Sequence, residues 1–186
     1  MIKRAYLSKF FLLKTFLSFV CYLFINTHYL MTLNIIAFFL TFFGMEFVAW
    51  FTHKYVMHGL LWVLHKDHHQ PEPGFFEKND AFFLIFAIPS MILIFLGVMN
   101  NFDVKVYIGF GIALYGLAYF LVHDIFIHQR FRLFRRSNNV YMRAIRKAHK
   151  VHHKYLNKEH GECFGMLLVP YKFYKEAKQS KELMEY

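Results

Sequence analysis

Residues 81–122 read AFFLIFAIPSMILIFLGVMNNFDVKVYIGFGIALYGLAYFLV. Ala81 to Met99 is a run of 19 residues without a charge, and Val106 to Val122 is a second run of 17. An apolar segment of about 20 residues is long enough to cross the hydrocarbon core of a bilayer as a helix. Between the runs stands Asn100-Asn101-Phe102-Asp103, a short polar turn. Pro89 lies inside the first run, a position that membrane helices tolerate. Gly109, Gly111 and Gly116 in the second run suit close helix contact. The stretch therefore predicts a transmembrane helical hairpin that leaves one membrane face and returns to it.

The hairpin governs what flanks it. Residues 53–80 and 123–160 are polar, and a hairpin between them brings both to one face. Pro71, Pro73 and Gly74 interrupt any helix in the first of these segments. Upstream, Leu30 to Thr52 is a further span of 23 residues, with Glu46 as its one charge. Residues 1–30 carry Lys3, Arg4, Lys9 and Lys14 before a short apolar run. They read as an extra N-terminal helix or as an extension ahead of a start at Met31. The expected architecture is all-α: an integral membrane bundle of three or four transmembrane helices, with a histidine-rich cap on the cytoplasmic face. Residues 31–170 form the membrane domain and 171–186 a basic C-terminal tail.

Composition agrees with lipid as the solvent. The chain has 186 residues, enough for one domain, and is 57% hydrophobic and 21% aromatic. The formal charge is +10. Residues 123–186 hold 14 Lys/Arg against 6 Asp/Glu, which places that end in the cytoplasm by the positive-inside rule. With such apolar runs, the charge points to an anionic membrane surface or an acidic protein rather than to nucleic acid. Arg130, Arg132, Arg135 and Arg136 read as an anchor facing phospholipid. A docking face for an acidic electron carrier is the alternative. Cys21 and Cys163 form neither a CxxC pair nor a disulfide framework.

Histidine is the unusual residue, with 12 in the chain and 11 of them after residue 50. His53 and His58 form HxxxxH, and His65, His68 and His69 form HxxHH. His123 and His128 repeat the first motif; His149, His152 and His153 repeat the second. On a helix, positions i, i+3 and i+4 share a face, so HxxHH is expected to project three imidazoles in one direction. The HxxxxH pair falls about 140° apart on an ideal α-helix, too far to share one ion. Such a pair places one ligand on each of two ions or straddles the end of a span. Ten imidazoles exceed the needs of one ion and suit two. Neutral imidazole serves zinc, copper, iron and nickel alike, so the spacing alone does not choose the metal. His160, Asp67 and Asp124 are candidate additional ligands or orienting neighbours. His28 stands alone and reads as an ordinary residue.

The flanks of these motifs resemble a known family. Gly44-Met45-Glu46, His53 to Gly59, His65 to His69 and Phe76-Glu77-Lys78-Asn79-Asp80 carry the first half of the match. Tyr115-Gly116-Leu117, Tyr119-Phe120, Val122-His123-Asp124, His128-Gln129-Arg130, Ala148 to His153 and Phe164-Gly165 carry the second. The chain is similar to the fatty acid hydroxylase superfamily of membrane di-iron enzymes and, within it, to the bacterial β-carotene 3-hydroxylases. The resemblance runs from about Met31 to about Pro170. It implies two non-haem iron ions, O2 as co-substrate and a carotenoid drawn from the bilayer of the bacterial cytoplasmic membrane. The implied reaction is hydroxylation at C3 of β-ionone rings, taking β-carotene through β-cryptoxanthin to zeaxanthin. No fingerprint for NAD or flavin occurs in the sequence, so the resemblance also implies an external electron donor such as ferredoxin. A carotenoid ketolase or another lipid or sterol hydroxylase shares the histidine pattern. A metal transporter is a third reading, opposed by spans that lack histidine and charge along a path.

Overall fold

The structure, a computed structural model, describes residues 2–131, 133, 137–156, 159 and 161–182, with no account of the side chains at 2–13, 23, 24 and 182. Every regular element among the described residues is a helix, with no strand. Helix α1 spans Ile2–Phe51 and runs directly into a π-helical segment, Thr52–Leu60. Helix α2 is Trp62–His69, and a single 3-10 turn at Lys78–Asp80 leads into α3, Ala81–Met99. After the turn comes α4, Val104–Phe120, which continues into a second π-helical segment, Leu121–Ile127. Helices α5, Val140–His152, and α6, Tyr171–Glu182, complete the chain.

Among the described residues, three helices are long and apolar enough to cross a membrane: Lys14–Leu60, Lys78–Met99 and Val104–Ile127. They contain the three runs expected from sequence. Most of their large apolar side chains are exposed, Phe43, Phe83, Phe95 and Phe110 among them, which is the pattern of helices solvated by lipid. Helix α1 is one uninterrupted element across residue 30, and its 50 residues extend about 75 Å at 1.5 Å per residue.

The hairpin forms as the sequence predicts. Asn101 and Phe102 adopt positive φ in the turn. Asp103 then caps α4 by accepting the backbone N–H of Lys105 at 3.0 Å. Helices α3 and α4 approach closely where Gly109 faces α3. A Cβ there would lie 2.6 Å from Ile94 Cγ1 and 2.8 Å from the Ser90 carbonyl. Ser90 Oγ donates to the Gly109 carbonyl at 2.7 Å across this seam. Gly111 does the same work against α1, where a Cβ would meet the Phe38 carbonyl at 2.8 Å. Gly116 differs from the expectation: open space surrounds it, and it mediates no close approach.

Helix α5 is strongly amphipathic, and Asn139 caps it by accepting the Met142 N–H at 3.1 Å. Its Ala144 and Ala148 pack against Phe173 and Ala177 of α6. Burying Phe173 contributes about 1.5–3 kcal/mol relative to leaving it exposed. In the basic region after residue 170, Tyr171–Glu182 is thus a helix that braces α5 from behind. Arg130 also departs from the anchor reading. Its guanidinium is turned inward, bonding both Asp80 oxygens at 2.9 and 3.1 Å and lying 3.4 Å from Asp124. Arg132, Arg135 and Arg136 lie outside the described residues.

Candidate metal centre

The first HxxxxH motif lies within a π-helical segment; the second runs from His123 inside the other segment to His128, its C-cap, whose N–H bonds the His123 carbonyl at 2.9 Å. A π-helix bonds residue i to i+5, so positions five apart stack one turn above another rather than 140° around. His53 and His58 consequently share a face, with ring centres 5.1 Å apart, and His123 and His128 lie 4.5 Å apart. The α-helical geometry assumed from sequence does not apply to these pairs.

The HxxHH motifs also depart from expectation, because each divides its histidines. Two groups of imidazole nitrogens form, each with its atoms within 4.8 Å of one another. The first contains His53, His58, His65, His69 and His152. The second contains His68, His128, His149 and His153. In each motif the i and i+4 residues enter one group and the i+3 residue the other. At 3.6 residues per turn, i+3 and i+4 point about 100° apart, enough to address two neighbouring centres. His69 and His153 stack at 4.3 Å where the groups abut. His123 stands outside the four-residue set, yet its ring lies 4.6 Å from that of His68.

Hydrogen bonds fix the tautomers. His53 Nδ1 lies 3.0 Å from the Phe164 carbonyl, His58 Nδ1 3.0 Å from the Leu156 carbonyl, and His152 Nδ1 3.0 Å from the Glu162 carbonyl. His65 Nδ1 lies 2.7 Å from Asn79 Oδ1. These oxygens only accept, so each Nδ1 donates and each neutral ring turns a bare lone pair outward from Nε2. Those Nε2 atoms nevertheless face one another: 3.1 Å between His53 and His65, and 3.2 Å between His58 and His152. In the second group, His149 Nε2 lies 2.8 Å from the Nε2 atoms of both His128 and His153. In the first group, where Nδ1 carries the proton, such opposed lone pairs repel unless a cation lies between them. Two nitrogens about 2.1 Å from one ion, at right angles, are about 3.0 Å apart, which the structure matches. The buried Nε2 atoms of His68 and His123 and the Nδ1 of His69 have no hydrogen-bond partner among the described residues. The donor set fits a metal ion in each group.

Protonation offers no substitute for that cation. Burial holds His65 down at about 3 against the opposing bond from Asn79. Burial and then the neighbouring His58 hold His152 at about 3 and His153 at about 4. His68 and His149 are driven well below the usual range, first by burial and then by His123. The rings are therefore neutral at physiological pH, the form that ligates metal.

Carboxylates support the second group. Glu77 accepts from His68 Nδ1 at 2.9 Å, and Asp124 accepts from His123 Nδ1 at 3.2 Å. Arg130 sits between Asp80 and Asp124 and so ties the 3-10 turn to the second π-helical segment. Asp67 belongs to neither histidine group; its Oδ2 accepts the Lys78 N–H, fixing the chain after Pro73. His160 lies outside the described residues. His28 is exposed on α1, about 37 Å along the helix from His53. Spacing in the sequence did not reveal Glu77, Asn79 or the carbonyls of residues 156, 162 and 164 as orienting groups. The polar run Glu77 to Asp80, beside a histidine motif and ahead of a span, was the one available signal.

Comparison with known proteins agrees with this architecture. The family model for fatty acid hydroxylase matches residues 38–169. A β-carotene hydroxylase of Pantoea ananas is 42% identical over 139 residues, covering 74% of this chain and 78% of that protein. A β-carotene hydroxylase of Paracoccus sp. (strain PC1) is 35% identical over 127 residues, covering 68% and 78%. A chloroplastic β-carotene 3-hydroxylase 2 of Arabidopsis thaliana is 38% identical over 130 residues, 68% of this chain but 42% of the plant protein. No solved structure matches. With most of its length covered by that model and by bacterial relatives of this similarity, and with its paired histidine motifs inside the matched segment, the chain belongs to the fatty acid hydroxylase family.

Proposed function

We propose that this protein is a carotenoid ring hydroxylase, converting β-carotene to zeaxanthin through β-cryptoxanthin at a pair of iron ions. The observation that carries the reading is the convergence of imidazole nitrogens in two abutting groups at the ends of apolar spans. The bacterial relatives, named as β-carotene hydroxylases over most of their length, supply the substrate.

His53, His58, His65, His69 and His152 would hold one ion, and His68, His128, His149 and His153 the other, with His123 beside the second. Asn79, Glu77 and Asp124 orient imidazoles from behind. Iron held there would supply reductive activation of O2; the overall reaction inserts one oxygen atom into the C3–H bond and reduces the other to water, consuming two external electrons and two protons. The chain contributes the rest. Lipid-facing spans let an apolar polyene arrive from within the bilayer, and Trp62 packs on His58 and His69. The basic C-terminal third sets the histidine end on the cytoplasmic side, where an acidic carrier such as ferredoxin delivers the electrons.

Expression in a bacterium that accumulates β-carotene tests this directly. Chromatography should show β-cryptoxanthin and zeaxanthin. Echinenone or canthaxanthin would instead mark a ketolase. Unchanged β-carotene, with iron-loaded protein present in the membrane, would sink the reading.

A further inference from the structure

Glu46 lies in α1 within an apolar span and is 7% exposed. An ionisable group at such a place is costly unless partners compensate it. Its partners are unusual. Oε1 accepts the backbone N–H groups of Met166, Leu167 and Leu168 at 2.9, 2.9 and 2.8 Å. Oε2 accepts the Tyr115 hydroxyl of α4 at 2.6 Å and shares the Leu167 N–H at 3.0 Å. Three successive amides thus converge on one carboxylate, an anion-binding nest formed by the chain itself. These five bonds engage both carboxylate oxygens, and Glu46 belongs to neither histidine group.

The segment it grips is the one that aims the first histidine group. The carbonyl of Phe164 receives His53 Nδ1, and that of Glu162 receives His152 Nδ1. Among the described residues, no hydrogen bond joins residues 161–168 to the second group. Gly165 sits between grip and carbonyls. A Cβ there would lie 2.7 Å from Glu46 Oε1, so the segment reaches the carboxylate only with hydrogen at that position.

We propose that Glu46 is a positioning residue for the five-histidine group: from inside the membrane span it pins residues 166–168, and the pinned segment aims His53 and His152. It rests on the two-ion reading above for its metal readout, but not for its structural one. The test compares full-length wild type, Glu46→Leu, Glu46→Gln and Gly165→Ala in detergent. Bound iron per chain and its Mössbauer signature are measured, together with hydrogen–deuterium exchange of amides 161–168. Glu46→Leu should bind about half the wild-type iron, losing one of two spectral components, and should exchange amides 166–168 faster. Glu46→Gln should stay near wild type. Its amide oxygen still accepts from residues 166–168, and its NH2 donates to the Tyr115 hydroxyl. Gly165→Ala should follow Glu46→Leu. Wild-type iron, spectrum and exchange in Glu46→Leu would overturn the proposal. Where Glu46→Leu fails to accumulate, Gly165→Ala decides in the same way, loss of one component supporting it and an unchanged protein overturning it. Wild type with fewer than two irons would sink the two-ion reading instead, and the exchange difference between Glu46→Leu and Glu46→Gln would still decide the role of Glu46.

Discussion

An imidazole has one N–H when neutral, and where that proton goes decides what the other nitrogen can do. His53, His58, His65 and His152 each commit it to an oxygen behind the ring, leaving four lone pairs in front. The oxygens are therefore as much part of the centre as the rings. Glu77→Ala and Asn79→Ala should each weaken metal binding about 10–100-fold, measured by titration of the metal-free protein, while His28→Ala leaves it unchanged. The histidines were legible in the sequence because two spacings recur, each twice. Their supports were not. Phe164, Glu162 and Leu156 act through carbonyls, which every residue has, and Asn79 acts through a contact 14 residues away from His65. Glu46 left one visible mark, a single carboxylate in an apolar span, but its partners lie 69 residues downstream at Tyr115 and 120 downstream at Met166.

At the scale of the element, the hairpin was readable because lipid demands long apolar runs and a turn demands polar residues. The π-helical segments were not readable. Nothing in HKYVMHGL or HDIFIH distinguishes an i+5 bond from an i+4 bond before the tertiary contacts are in place. Yet that one extra residue per turn lets His53 and His58 serve the same group. Within α4, two glycines that look alike in sequence differ in consequence. Gly109→Leu should destabilise the hairpin by about 1–3 kcal/mol or more, since its side chain enters space held by Ile94 and Ser90. Gly116→Ala should be neutral or slightly stabilising, because nothing lies near it and alanine favours the helix by about 0.5–1 kcal/mol. Thermal unfolding of the two variants in detergent separates the cases.

Over the whole molecule, the two halves of the chain repeat one plan: span, π-helical segment, then a short helix bearing HxxHH, with the 3-10 turn and the hairpin between. Each half lends one histidine to the other's group. His152 crosses to the first and His68 to the second. Neutral, buried rings make the metal-free protein sensitive to acid. In the fold His65, His152 and His153 resist protonation down to about 3–4, whereas in the unfolded chain they take up protons near 6.5. Between those values the unfolded chain binds more protons, so stability falls as pH falls. Chelator-treated protein should melt lower than the metal-loaded form at pH 7.5, and lower still at pH 6 and 5, when followed by circular dichroism. The exchange of one histidine between halves also bears on biosynthesis. While the ribosome is still making the hairpin, the nascent chain offers four of the five histidines of one group and a single histidine of the other. The first group is completed only by His152 and the second only by His153, once α5 has emerged and folded back. A chain abandoned before that point leaves both groups of imidazoles short of nitrogens that only the second half supplies.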